Sequence, residues 1–424
     1  MSIITSILDT DVYKLTMGQA AWSQYPDVRG KFKFFNRKGT EFPAGFDETL
    51  MREIQQWRKL TLSEYEAALL KSKMPFLREG YIEWLKGTPV LDIDCLDRFE
   101  VKFNHRGELE IEYEGPWRFA IYFETPVLAV ISELYYKKMG LRLHPGTERE
   151  IWDTKSFSLR CIDAFAEFGT RRRFSKAYQG VMLNRLSKPN TMEKPRFPGF
   201  VGTSNVMYAL EKNLKPIGTV AHEWFMAHQA LFGTRMANLE GMRAWQKEYG
   251  AALGIMLPDT FTTEMFLHTF DGYYARLCDG VRHDSGDPIE FAEKINRHYR
   301  ELGIDPASKT IVFSDGLNPD KACEIQKWAK AYGGTKFSFG IGTNLSNDVG
   351  HDALSIVIKA TEFNGVPVVK ISDEYGDVFK ERATGPMASN EESKNTTGKV
   401  TGAPRAVDHT VYEIKTTLNG RRRF

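Results

Sequence analysis

Short stretches in the N-terminal third of the chain carry apolar residues at every second position. In RFEVKFNHRGELEIEYEG, residues 98–115, Phe99, Val101 and Phe103 share one face and Leu109, Ile111 and Tyr113 share another, across a turn at Asn104 to Gly107. That alternation predicts an antiparallel element, and RGKFKFFNRK at 29–38 predicts a further strand. Between them, TLSEYEAALLKS and REGYIEWLKG read as helices, the first capped by Thr61 or Ser63. TPVLAVISELYYKKMG, starting at Thr125, has enough apolar positions for a buried helix. Residues 1–145 are therefore expected to form an N-terminal mixed α+β domain, with part of the C-terminus able to complete it.

From about residue 150 the pattern changes to apolar runs that end in small or polar residues before a helix. FSLRCIDAFAEFGTRRRFS reads as a helix ending near Gly169, followed by Arg171, Arg172 and Arg173. In TIVFSDGLNPDKACEIQKWAKAYGG, Thr310 to Phe313 is a strand, Asn318 a cap, Pro319 a first-turn residue and Gly333 a stop. Ile325, Trp328, Ala329 and Tyr332 make the apolar stripe of its helix. GVRHDSGDPIEFAEKINRHYRELG repeats the plan, with Asp287 as cap and Phe291, Ile295, Tyr299 and Leu302 inward. Units of this kind present polar residues at the carboxyl ends of strands, where α/β domains place ligands. The expected fold class is α/β: an irregular β/α barrel over 146–375 behind the mixed N-terminal domain. The polar segment at 376–424 is expected to be partly mobile.

Composition adds mainly exclusions. The 424 residues carry 57 basic and 55 acidic side chains, a balance that argues against nucleic-acid binding or a polybasic membrane surface. Cys95, Cys161, Cys278 and Cys323 lie far apart and form no metal-ligand spacing, which suits a reducing compartment. No stretch approaches the roughly 20 apolar residues of a membrane span, and the start lacks a basic leader, so a cytoplasmic location is expected.

Several residues offer chemistry. In PIGTVAHEWFMAHQALFG, His222 stands at the start of a helix and either packs there or exchanges a proton or phosphoryl group near neutral pH. Glu223 either orients that ring or faces solvent, and His228 reads as structural or solvated. Asp284 precedes the cap Asp287 and neighbours Arg282. It either holds a ligand or forms a structural pair. In TKFSFGIGTNLSNDVG, Gly340 and Gly342 let backbone amides approach phosphate, or simply make a turn, and no Walker or dinucleotide fingerprint is present.

Taken in order, DTDVYKLTMGQ, EFGTRR, GTSNV, GTVAHEW, VRHDSGDP, FSDGLN and FGIGTNLSND resemble the nicotinate phosphoribosyltransferase family, from near residue 8 to about residue 373. The resemblance implies transfer of phosphoribose from 5-phosphoribosyl 1-pyrophosphate to nicotinate, giving nicotinate mononucleotide and pyrophosphate in NAD salvage. It also implies magnesium (Mg2+), ATP as a coupling substrate, and a homodimer with shared active sites. Carried onto this chain, Tyr13 from a neighbouring subunit and Phe168 face the two sides of the pyridine ring, and Arg171 attracts carboxylate or phosphate. Ser204 and Asn205 either position the pocket or serve a turn. Arg172, Arg282, Gly340, Gly342 and Thr343, with Arg37 and Lys38, form the expected phosphate contacts. Asp284 and Asp315 hold ribose hydroxyls or water-bound magnesium, with no direct metal ligation expected. His222 becomes the phosphohistidine that couples ATP hydrolysis to transfer. Beyond Asp373 the sequence is expected to leave the family pattern, and the terminal Arg421, Arg422 and Arg423 read as solvated. A nicotinamide or quinolinate enzyme and an inactive phosphate-metabolite sensor are the alternatives.

Overall fold

The computed structural model describes residues 2–188, 196–373 and 404–420. Its chain falls into two compact units. One comprises Met1–Thr219, Gly316–Ala331 and Phe337–Ile358, the other Val220–Asp315, Tyr332–Lys336 and Lys359–Phe424. The fold class is the α/β one expected, with antiparallel and parallel strands both present.

In the first unit the antiparallel part is β1 (Arg29–Asn36), β3 (Leu109–Pro116) and β2 (Arg98–Phe103), with β3 paired to both neighbours. The register sets Phe99 opposite Tyr113, Val101 opposite Ile111 and Phe103 opposite Leu109, so the two predicted apolar faces are one face. Phe32 is the other partner of Tyr113. Its ring stacks on Tyr113 at 5.0 Å and that of Phe99 at 5.4 Å, which fixes the register through side-chain packing. Helix Glu64–Lys73 starts with a capping box between Ser63 and Glu66, and the buried helix after Phe123 spans Glu124–Lys138.

The reading of 157–169 as one helix fails. Helix Pro145–Leu159 stops, and Phe165–Glu167 form β4, which pairs in parallel with β5 (Phe200–Thr203) on one side and with the Phe339–Ile341 end of β9 (Lys336–Ile341) on the other. A strand with neighbours on both edges and both faces buried loses the alternation of apolar and polar positions, so from sequence alone it is hard to tell from a buried helix. The Arg171 region is accordingly a short turn, Thr170–Arg172, at a strand end.

The second unit contains the parallel strands β6 (Ile255–Met256), β7 (Gly280–His283) and β8 (Thr310–Phe313), with β7 central. Helix Pro288–Glu301 follows β7 and is capped by Asp287, which accepts from the amides of Ile289 and Glu290. Helix Pro319–Tyr332 follows β8 in the sequence and belongs, up to Ala331, to the first unit. Asn318 caps it through the Lys321 amide at 2.8 Å, and Gly333 ends it at φ +71°. Its inner stripe is Ala322 and Ile325, with Tyr332 at the exposed end. Strand β10 (Ile356–Phe363) turns into β11 (Val366–Pro367), pairing Phe363 with Val366. Helix Pro404–Gly420 adds a regular element to the C-terminal segment. The rest of the polar stretch, and Arg421 to Arg423, lie outside the described residues.

The first unit also buries an ion pair. Arg173 has no exposure and grips Asp9 through two parallel bonds of 2.7 and 2.8 Å, with a third to Gln179 at 3.1 Å. Removing one partner leaves the other charge buried, so Arg173→Met is expected to cost about 3–5 kcal/mol. A denaturant midpoint that drops sharply for Arg173→Met, and less for Arg173→Met combined with Asp9→Asn, would bear this out.

Candidate active site

Two groups of side chains carry the candidate chemistry, one in each unit. In the first, the isolated bridge between Asp11 and Asn205 seats the N-terminus of helix Val12–Gln24 beside the Thr170–Arg172 turn. Tyr13 is thereby brought to Arg171 of its own chain, with the guanidinium 5.9 Å from the ring centroid. Glu124 gathers the neighbours: Lys14 at 2.7 Å, Arg171 at 3.2 Å and the Tyr13 hydroxyl at 3.5 Å. Burial pushes the Glu124 carboxyl up, but Lys14 and Arg171 outweigh it and hold it below its ordinary range. Asp11 is raised by burial, which Arg171 only partly offsets. Tyr13 and Arg171 therefore lie together within one chain.

Phe168 lies across the backbone of Gly340. A Cβ on Gly340 would sit 2.3 Å from the Phe168 ring, and one on Gly342 would sit 3.1 Å from the Phe168 carbonyl oxygen. The two glycines thus make room for the aromatic side chain and its backbone, a use the phosphate reading did not foresee. Thr343 opens a four-residue helix, Thr343–Ser346, next to Gly342. Asn205 is the cap of helix Val206–Glu211 and its amide donates to Asp9 at 2.9 Å, while the Ser204 hydroxyl donates to Asp11 at 2.7 Å. Both serve the scaffold beneath the pocket.

Arg172 differs from its neighbours. Arg173 has Asp9 and Arg171 has Glu124, yet among the described residues no acidic side chain pairs with half-buried Arg172. Burial, with Arg171 and Arg37 nearby, pulls its pKa down to about 10. Arg37 and Lys38 project from an exposed turn after β1 that Asn36 closes onto Thr40. Clustered guanidinium groups with one left uncompensated form a seat for an anion.

In the second unit Ala221 caps helix His222–Phe232, which puts His222 in its first turn. Its Nδ1 lies 3.0 Å from Thr260 Oγ1, and its Nε2 lies 3.0 Å from Asp284 Oδ2 and 2.7 Å from Lys370 Nζ. Lys370 also contacts Asp259 at 3.3 Å, and Asp259 accepts from Ser285 at 2.6 Å. Ser314, at the end of β8, donates to Asp284 at 2.9 Å. Burial lowers the His222 pKa and Lys370 lowers it further, against the two carboxylates, so the imidazole is neutral at pH 7. Burial raises Asp284, but Arg282, His222 and Lys370 together hold it well below its usual value. His222, Asp259 and Asp284 each offer a ligand atom within 4.8 Å of the others. The Lys370 ammonium already lies among them, which disfavours direct metal ligation. Asp315 follows β8 and is half-buried, its charge acting on His283. Glu223 is buried, which removes its solvent-facing reading. His228 is wholly buried with Nδ1 2.7 Å from the Trp224 carbonyl, a structural ring.

Sequence reasoning did not find Asp9, Asp11, Lys14, Glu124, Asp259, Thr260 or Lys370. Asp9, Asp11 and Lys14 at least lie inside the quoted DTDVYKLTMGQ. The others have no local signal.

Parallel strands that end in arginines, carboxylates and a neutral helix-start histidine define an α/β enzyme built to hold anionic substrates. Residues 164–397 match the nicotinate phosphoribosyltransferase (NAPRTase) family, and residues 8–132 match its N-terminal domain. The nicotinate phosphoribosyltransferase of Desulforapulum autotrophicum is 42% identical over 385 residues, covering 88% of this chain and 95% of that one. The crystal structure of the Porphyromonas gingivalis nicotinate phosphoribosyltransferase matches 97% of this chain and 100% of its own with a TM-score of 0.84 at 35% identity. That of Vibrio cholerae gives 0.81 at 33% identity over 98% of each chain. The chain belongs to the nicotinate phosphoribosyltransferase family. The family match continues past Asp373, beyond the point where the sequence was expected to depart from it.

The His222 environment makes a titration prediction. Because its pKa lies below the ordinary 6.5, the folded chain binds fewer protons there than the unfolded chain, so its contribution penalises folding as pH falls below about 6.5. In Lys370→Met the ammonium is gone while Asp259 and Asp284 remain, and the pKa should rise above that of the parent. Histidine ring resonances followed by NMR against pH would show the upward shift; an unchanged midpoint would remove Lys370 from the site's electrostatics.

Proposed function

We propose that the chain transfers phosphoribose from 5-phosphoribosyl 1-pyrophosphate to the ring nitrogen of nicotinate, forming nicotinate mononucleotide and pyrophosphate for NAD salvage in the cytoplasm. The observation that carries this reading is the uncompensated Arg172 within an arginine cluster beside Tyr13 and Arg171, in a chain of this family. In the reaction the anomeric carbon–oxygen bond to diphosphate breaks as the carbon–nitrogen bond forms, with positive character on the ribose. No covalent enzyme intermediate is needed, so the side chains act by placement and charge. Tyr13 and Phe168 offer flat faces to the pyridine, Arg171 its guanidinium to the carboxylate, and Arg172 and Arg37 theirs to phosphate. Arg282 meets the leaving diphosphate. Asp284 and Asp315 hold ribose hydroxyls or the water shell of a magnesium ion. Such an ion, when bound, neutralises diphosphate charge.

His222 is the proposed acceptor of the ATP terminal phosphoryl group. A neutral imidazole supplies the lone pair; a phosphorus–oxygen bond to ADP breaks as a phosphorus–nitrogen bond forms. The first turn of a helix and Lys370 both favour the negative charge that results. The functional unit is proposed to be a homodimer.

Purified protein supplied with phosphoribosyl pyrophosphate and magnesium should make mononucleotide from labelled nicotinate, and far less from nicotinamide or quinolinate. Binding without turnover of any base would favour a sensor instead. His222→Asn should retain slow transfer but lose ATP hydrolysis coupled to product. Acid-labile label from terminal-phosphate-labelled ATP should appear on the parent and be absent from the variant. A variant that keeps the same coupling would return His222 to a structural role.

A further inference from the structure

Beneath the pocket of the first unit lies a carboxylate that the reaction does not use. Glu167 ends β4, has no exposure, and accepts four contacts from three donors. They are the Thr203 hydroxyl at 2.6 Å, the Gly169 amide at 2.6 Å, and the Gln179 side-chain amide at 3.2 Å to each oxygen. The donors come from β5, from the turn and from helix Lys176–Ser187. All are neutral, and none of these contacts is to a basic side chain. The interaction with Gly169 is local and steric as well as polar. A Cβ there would stand 2.1 Å from Ser346 Oγ and 2.7 Å from Glu167 Oε1, so the backbone is pressed onto the carboxylate. Phe168 is the residue between them, its amide bonded to the Ile341 carbonyl at 2.9 Å, and Thr170–Arg172 follow directly.

We infer that Glu167 is a positioning residue: its ionised carboxylate, by holding the Gly169 amide, Thr203 and Gln179 at once, sets the turn that presents Phe168 and Arg171 to the base. This rests on the nicotinate reading of the pocket. An ionised carboxylate accepts at both oxygens, whereas a protonated acid or a carboxamide must turn a donor toward one of these donors. Burial raises this carboxyl to about 7, and Asp11 pushes the same way, while Thr203, Gly169 and Gln179 pull it down. Arg173 reaches Gln179 at 3.1 Å, so its charge arrives through a neutral amide. The ionised form, and with it the positioned turn, is therefore the form above neutrality and is lost as pH falls through about 7.

The test compares the parent, Glu167→Gln and Thr203→Val in the nicotinate transfer assay at pH 8 and pH 6. At pH 8, Glu167→Gln should raise the KM for nicotinate about tenfold or more with kcat changed much less, the loss expected for one hydrogen bond to a charged group. Thr203→Val removes a single donor and should raise KM in the same direction by a smaller factor. It also stands in for Glu167→Gln should that chain not fold. At pH 6 the parent carboxyl is protonated, and the KM ratio of variant to parent should shrink toward one. A KM unchanged in both variants, or a ratio that does not move with pH, overturns the inference while leaving the nicotinate assignment intact. A parent that turns over no nicotinate overturns the pocket assignment, and this role with it.

Discussion

The first unit is organised by the bidentate contact between Asp9 and Arg173. Two wholly buried charges are tolerable only when each satisfies the other, and here Asn205 and Gln179 take up further capacity on both sides. Against the upward push of burial, Arg173 holds Asp9 below its usual range. Three consecutive arginines then have three different fates. The last is consumed in the core, the first is shared with Glu124, and Arg172 is left with no acid among the described residues. Like-charge neighbours and partial burial keep it poorly compensated. A bound anion would relieve that, which is the basis of the phosphate seat proposed there.

The second unit solves a different problem. On the proposed reading His222 must be neutral near pH 7 to accept a phosphoryl group, while the carboxylates beside it are proposed to hold hydroxyls and magnesium-bound water. Two carboxylates alone would raise its pKa and protonate it. Burial opposes them most, and the Lys370 ammonium, 2.7 Å from Nε2, adds to its effect. The same cation stands where a directly ligated metal would otherwise be placed.

Local features were legible in the sequence. The capping box at Ser63, the Asp287 and Asn318 caps and the Asn104 to Gly107 hairpin are written in neighbouring residues, and the family motifs led to Tyr13, Arg171, His222 and Asp284. What failed was what only tertiary structure decides. Phe165–Glu167 read as helix because a strand buried on both sides loses its alternation. The packing of Phe168 against the missing side chain of Gly340 had no sign in the sequence. Thr260 and Lys370 reach His222 from 38 and 148 residues away, and no local pattern announces either.

If the uncompensated arginine is what makes the first unit an anion seat, its removal should be felt in binding and not in folding. Isothermal titration of 5-phosphoribosyl 1-pyrophosphate into the parent and Arg172→Met, at fixed ionic strength and magnesium, is the direct measurement. Loss of one charge-assisted phosphate contact should weaken binding at least about tenfold, with the unfolding midpoint unchanged or raised, since a buried unpaired charge has been removed. Equal affinity for the two chains would contradict the assignment of Arg172 as the seat of the phosphate.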